Sequence, residues 1–331
     1  GESMGSLSWA QLRSWFIGAL PYLGMISAVA SLALNMTLSK LAMSSGTSFY
    51  ILTIYSHTVA ALILFPTGFV FHRGKLPPLT FPVLWRIFLL GILGVIGDIF
   101  SYAGIKKSSS TLGSELLNLV PGFTYVLVII LRIERFNIRA VSDIAKSAGT
   151  IALIIGASIV TLYKGPAILS FEGSSSLLSS LQQDWILGGM LLSVAALSVA
   201  IWYILQVSTV KMYPAEIMLV AIYCIVVTAV TTVVAVVAEG DASVWKVETG
   251  TGLVAVLFAG MVNISFRLYV VTWCLWKIGP LVVSLFNPLT IVLSVAFGII
   301  FFHEAIYLGS VAGTLVLVIG FYGVMWGKSK E

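Results

Sequence analysis

Charge is what this 331-residue chain has least of: 9% of its residues are Asp, Glu, Lys or Arg, where a soluble domain carries about 25%. Hydrophobic residues make up 59% and the mean hydropathy is +1.06. A soluble globule so poor in charge could not cover its surface with polar groups, so lipid must be the solvent for most of the chain. That excludes a soluble enzyme, a nucleic-acid-binding module and a disordered regulator. The net charge of +5 is no nucleic-acid signal, because the basic residues stand singly between apolar runs. Cysteine is nearly absent. Cys224 and Cys274 both lie inside apolar stretches and read as small buried thiols, not as a disulfide or metal site. The sequence carries no Gly-rich phosphate loop, no metal-ligand spacing and no Ser/His/Asp arrangement outside its apolar runs. His303 beside Glu304 falls at a helix end and reads as wet. No enzyme, metal or cofactor is therefore expected, and no segment at the start reads as a cleavable signal peptide. Without a nucleotide domain, energy must come from substrate gradients, a proton gradient or the membrane potential.

What is present is a series of apolar runs. A hydrocarbon core of about 30 Å needs about 20 apolar residues per helix. That ruler gives ten spans: 15–40, 47–71, 83–106, 111–131, 145–163, 185–208, 213–237, 251–276, 280–302 and 306–326. Breakers such as Pro77–Pro78, Gly165–Pro166, Tyr213–Pro214 and Gly279–Pro280 separate them. The lysines and arginines favour one side by twelve to five, with Arg73, Lys75, Arg86, Arg132, Arg135, Arg139 and Lys146 among the majority. This places both termini in the cytosol.

The chain also repeats itself. Trp15–Phe16–Ile17–Gly18 matches Trp185–Ile186–Leu187–Gly188 at an offset of 170, and Ser114 and Glu134 match Ser284 and Glu304. At an offset of 164, Ala148–Gly149–Thr150 matches Ala312–Gly313–Thr314, and Ile155–Gly156 matches Ile319–Gly320. The expected architecture is an all-α polytopic membrane protein of ten transmembrane helices in two five-helix repeats, 14–165 and 185–327. A Ser-rich linker, 166–184, joins them. Five is odd, so the copies must cross the membrane in opposite directions. Inverted repeats place a binding site near the midplane and move by alternating access, so a transporter is the leading reading. Small residues at Ala145, Gly149 and Gly156, and at Gly309, Gly313 and Gly320, call for close helix approach, either within the fold or between the protomers of a homodimer.

Charged side chains cost about 2.5–3.5 kcal/mol each at a bilayer centre, so they persist where a cavity or partner receives them. Arg267 lies deep in span eight, one turn after Asn263. Its planar fork suits a substrate carboxylate; the alternative is a fixed salt bridge to Asp98 or Glu115. Asp98 in span three, with Tyr102 one turn on, is a proton-coupling candidate or a structural partner for Lys106 or Lys107. Glu115 in span four, three residues before Asn118, is a second proton-coupling candidate facing a cavity, or a carboxylate at a helix N-terminus. Trp202, Gln206 and Trp273 could supply an aromatic wall and an amide, and Asn35 and Asn287 stand beside distorted helix positions. All of these are candidate substrate-binding positions, with packing and interhelical glue as the plain alternative.

The run Asn118–Leu119–Val120–Pro121–Gly122–Phe123–Thr124, ending in Arg132–Ile133–Glu134, resembles the first-repeat motif of the plant nodulin-like or Walls-Are-Thin family, also called UMAMIT. Tyr163–Lys164–Gly165–Pro166, Trp273–Cys274, Gly279–Pro280, Glu304 through Gly309–Ser310, and Gly320–Phe321–Tyr322 to Trp326–Gly327–Lys328 are similar to the rest of its pattern. The resemblance covers nearly the whole chain; Ser56 after Tyr55 and Asp98 in span three depart from it. It implies a drug/metabolite transporter with two EamA-type repeats, from a plant, carrying amino acids, auxin or related organic acids, with the plasma membrane favoured over the vacuolar one. An amino acid would set its carboxylate at Arg267 and its ammonium at Glu115 or Asp98; auxin would need Arg267 and aromatic walls alone. The competing class is a channel or scaffold whose intramembrane charges serve only packing.

Overall fold

The computed structural model describes residues 9–71, 77–131, 140–163, 165–169, 178–238, 245, 247, 250–284, 286–302 and 306–330. The expectations for Arg73, Lys75, Arg132 to Arg139, Lys164, the serines of 170–177, Lys246, His303 and Glu304 lie outside these residues. Among the described residues there are twelve α-helices: α1 Trp9–Ser44, α2 Phe49–Phe71, α3 Phe81–Lys107, α4 Ser110–Leu116, α5 Leu119–Ile130, α6 Val141–Leu162, α7 Leu178–Met212, α8 Glu216–Ala238, α9 Thr251–Phe258, α10 Tyr269–Ser284, α11 Asn287–Phe302 and α12 Leu308–Ser329. A π-helical segment, Ala259–Leu268, joins α9 to α10 without a break. Among the described residues, nine helical stretches are long and apolar enough to cross a membrane, and a shorter apolar helix, Leu289–Phe301, fills the tenth position.

Three irregularities shape these spans. Span four is two helices. Pro121 has no N–H for the carbonyl of Leu117, which instead accepts from Val120 N at 3.1 Å, and the chain turns at Leu117–Asn118 before α5. Ser109 caps the N-terminus of α4, its hydroxyl accepting from Leu112 N at 2.9 Å. Spans eight and nine are separated at Gly279, whose φ of +83° is open to glycine and strained for other residues, and Pro280 follows. The third is the π-helical segment within span eight.

The helices pack as a duplicated unit would. Equivalent helices of the two repeats meet each other, α2 against α8 and α6 against α12. Other contacts come in matched pairs: α3 lies on α7 as span eight lies on α1, and α5 lies on α7 as α11 lies on α1. The α6–α12 seam fixes the direction. Gly156 faces Gly313, Gly149 faces Gly320, and Ser142 and Lys146 face Gly327, so the last helices of the two repeats run antiparallel. A Cβ on Gly149 would stand 2.5 Å from the carbonyl oxygen of Gly320, which only a bare backbone allows. The small-residue stripes thus serve packing inside one chain.

One element was not expected. Beyond the helices, a two-stranded antiparallel ribbon pairs β1, Ala167–Leu169, with β2, Ile306–Tyr307, Ala167 opposite Tyr307 and Leu169 opposite Ile306. It ties the chain after α6 to the start of α12. Neighbouring charges are also settled at the helix ends. Lys107 Nζ pairs with Asp184 at 2.8 Å, and Lys146 Nζ, almost fully buried, pairs with Asp143 at 2.9 Å.

Candidate functional site

Between the repeats lies a cavity of two adjoining lobes, about 150 and 100 Å³. They share walls at Leu32, Asp98, Ser101, Tyr223, Arg267 and Leu268. Helices α1, α2 and α3 come from the first repeat; α7, α8 and the π-helical segment come from the second. This is where an inverted pair is expected to hold its substrate.

The π-helical segment positions the cation. Asn263 and Arg267, four apart and so on one face of this segment, both reach the same lobe. Ser265 Oγ donates to the carbonyl of Gly260, five residues back, at 2.7 Å. Such π segments are rare and recur at functional positions. Gly260 lets this segment press on α2: a Cβ there would lie 2.7 Å from Val59 Cβ and 2.8 Å from the carbonyl oxygen of Ser56. Bare backbone at Gly260 therefore brings α2, and with it His57, to the cavity that Arg267 enters.

Arg267 is half-buried, and its Nε is buried with no hydrogen-bond partner among the described residues. No carboxylate of the described residues comes within 4.0 Å of it. Asp98, the carboxylate in the cavity wall, approaches His57 instead, Oδ2 to Nε2 at 4.0 Å, and Lys107 is taken by Asp184. The rest of the wall is largely apolar and aromatic. Trp202 meets Tyr203 and Tyr223 edge-on at 5.9 Å between ring centres, and the His57 ring stands 6.2 Å from that of Tyr223. Gly94 makes room for the Tyr223 hydroxyl, which a Cβ at that position would strike. A pocket holding one uncommitted guanidinium among aromatic rings is chemically suited to a small carboxylate with an apolar body.

Six of the candidate positions read from the sequence line the two lobes: Arg267, Asn263, Asp98, Tyr102, Asn35 and Trp202. Four others lie elsewhere. Glu115 is buried and accepts from Ser310 Oγ at 3.2 Å and Thr314 Oγ1 at 3.4 Å, which ties α4 to α12. Asn118 Nδ2 donates to the backbone carbonyls of Ser114 and Glu115, stabilising the break before α5. Gln206 Nε2 donates to Thr272 Oγ1 at 3.1 Å, joining α7 to α10, and Trp273 packs against the main hydrophobic core. Asn287 begins α11, but its side chain lies outside the described residues. The sequence reading passed over His57, Ser101, Tyr203 and Tyr223. A histidine within an apolar span was the available signal for the first, since an ionisable group there needs a cavity or partner.

The comparisons agree with this architecture. Residues 19–162 match the EamA-like transporter family. A WAT1-related protein of Arabidopsis thaliana is 41% identical over 91% of this chain and 83% of its own length. Two further WAT1-related proteins of the same plant are 37% and 35% identical, over 94% and 98% of this chain and 88% and 92% of theirs. The chain belongs to the WAT1-related family. One solved crystal structure superimposes with a TM-score of 0.60 at 17% identity, over 95% of this chain and 98% of that one, a likeness of fold alone. As a WAT1-related, EamA-like protein this chain is a multi-pass membrane transporter.

Proposed function

We propose that this transporter is a secondary carrier that moves small organic acids (amino acids or related carboxylates, auxin among them) across the plasma membrane by alternating access. Arg267 holds the carboxylate, and Asn263, Asn35, Tyr102 and Trp202 orient the remainder. The single observation that carries this reading is the guanidinium of Arg267, buried at Nε, bound to no acceptor among the described residues, and facing a cavity between the two repeats. A buried charge without a protein partner is costly, so a ligand that completes its hydrogen bonds gains affinity from the same deficit.

The test is uptake into vesicles containing the purified protein, over a panel of amino acids, auxins and other organic acids, beside Arg267→Lys. A carrier saturates with substrate. The lysine variant keeps the charge and loses the planar fork, so saturable uptake should weaken strongly while the protein stays folded. Flux that rises without saturation, or that ignores the substitution, would favour a pore whose charges serve packing. Both cytosolic termini and the plasma-membrane location belong to the same proposal, and protease access to terminal tags checks the former.

A further inference from the structure

The tautomer of His57 is fixed by its surroundings. Its Nδ1 lies 3.0 Å from the carbonyl oxygen of Thr53. A carbonyl can only accept, so Nδ1 carries a hydrogen and, in the neutral ring, Nε2 is a bare acceptor. Nε2 is the atom that faces Asp98, 4.0 Å from Oδ2. An ionised carboxylate is also acceptor-only. Two acceptors therefore face each other, and one proton on either, as a carboxylic acid or as an imidazolium, turns this acceptor–acceptor approach into a donor–acceptor one. In either form the pair's charge changes from −1 to 0.

The other ionisable groups around the pair are few. Tyr102 comes from α3 itself, Tyr223 and Cys224 from α8, Tyr203 from α7 and Arg267 from the π-helical segment. α1 presents Asn35 and no ionisable side chain here, and α9 contains none. Arg267 is thus the lone fixed cation beside the pair among the described residues. Asp98 is the one carboxylate in the wall of either lobe among the described residues. While ionised, it competes with a substrate anion for the field of Arg267; a proton on the pair removes that competition. An ammonium group entering the same cavity would compete with the proton for the same carboxylate.

We propose that the His57–Asp98 pair takes up one proton each time the cavity takes up a monocarboxylate with an apolar body, so that proton and anion cross together. This rests on the assignment of Arg267 as the carboxylate holder and adds the coupling ion and the charge class of the substrate.

A matched pair of probes tests it. 3-Phenylpropionate and L-phenylalanine share a ring and a carboxylate and differ in the ammonium group. Binding of each to the purified full chain in nanodiscs is measured between about pH 5.5 and 8, across the range where a histidine–carboxylate pair exchanges its proton. For 3-phenylpropionate the affinity should weaken as pH rises, approaching about tenfold per pH unit for one proton. A pH indicator in weak buffer should report proton uptake on binding. Asp98→Asn imitates the loaded acid, so it should bind at high pH as the wild type does in acid, with its pH slope lost. His57→Phe keeps a ring and removes the second acceptor, and the slope should move to more acidic pH. Thermal melting of each variant separates these effects from misfolding. Wild-type binding of 3-phenylpropionate that ignores pH would overturn the proposal and leave the Arg267 assignment standing. So would tighter binding of L-phenylalanine that is lost in Asp98→Asn, because Asp98 would then be an ammonium site. If neither probe binds the folded protein at any pH, the Arg267 assignment itself fails and the coupling falls with it.

Discussion

The neighbourhood of Glu115 and the neighbourhood of Arg267 both place a charged side chain deep among apolar helices, and they treat it in opposite ways. Around Glu115 the protein closes in. Two hydroxyls from α12 donate to its carboxylate, and the adjacent α6–α12 seam is packed backbone on backbone. Around Arg267 it stands back. The guanidinium reaches a cavity, and the carboxylate in the wall turns to a histidine instead. A charged group within lipid marks a polar place in the fold, but completion of its hydrogen bonds by the protein separates a helix tie from a binding site. The first region holds helices together, and the second is the one proposed above to be completed by a ligand.

The largest effect should come from breaking the closed region. A Cβ on Gly313 would stand 2.8 Å from the carbonyl oxygen of Gly156, so Gly313→Leu should cost about 3 kcal/mol or more. Its melting temperature and detergent-extractable yield should fall steeply. Normal stability in this variant would mean that the seam is not packed as described.

Removing the cation from the open region should do the reverse. Arg267→Ala should lower affinity for a bound carboxylate by about 30-fold, the equivalent of about 2 kcal/mol from charge-assisted hydrogen bonds. It should leave the melting temperature close to that of the wild type, because no acceptor among the described residues loses a partner. A large stability deficit, partly rescued by Asp98→Asn, would instead place Arg267 in an internal pair.

Glu115→Gln should sharpen the contrast at a smaller scale. It keeps the shape and weakens two charge-assisted contacts, so stability should drop by about 1–2 kcal/mol. Transport by the folded fraction, and its pH profile, should be retained. A flattened pH profile would move Glu115 from helix tie to proton carrier. The smallest change is expected at Gln206, which reaches Thr272 across two helices. Gln206→Leu should alter stability by about 1 kcal/mol or less, in line with other hydrogen bonds between transmembrane helices, and leave substrate affinity in place.

Much of the fold was legible because lipid imposes a strong rule: backbone polar groups must be satisfied within a helix, so runs of about 20 apolar residues declare themselves. The repeat of Trp15 at Trp185 and of Gly149 at Gly313 then gave the duplication. The breaks were readable at Pro121 and at Gly279–Pro280, where local chemistry dictates them. The cavity was less legible. Arg267 and Asp98 stood out because a charge within lipid needs a cavity or partner, and Asn263 and Tyr102 lie one helical turn from them. Glu115 and Gln206 carried an equal signal in the sequence, yet their partners, Ser310, Thr314 and Thr272, come from helices far along the chain. Composition cannot say which distant hydroxyl will arrive.

The sequence by itself determined the solvent, the number and approximate ends of the spans, the inverted duplication and the short list of polar groups that lipid would not tolerate alone. These follow from transfer energies and local backbone chemistry, which act over a few residues. Tertiary structure alone decided which of those polar groups share a space. The bare backbone of Gly260 that admits α2 and the approach of His57 to Asp98 both depend on how helices distant in sequence pack. A side chain's role in lipid is fixed by the partner that reaches it, and that partner is chosen by the packing.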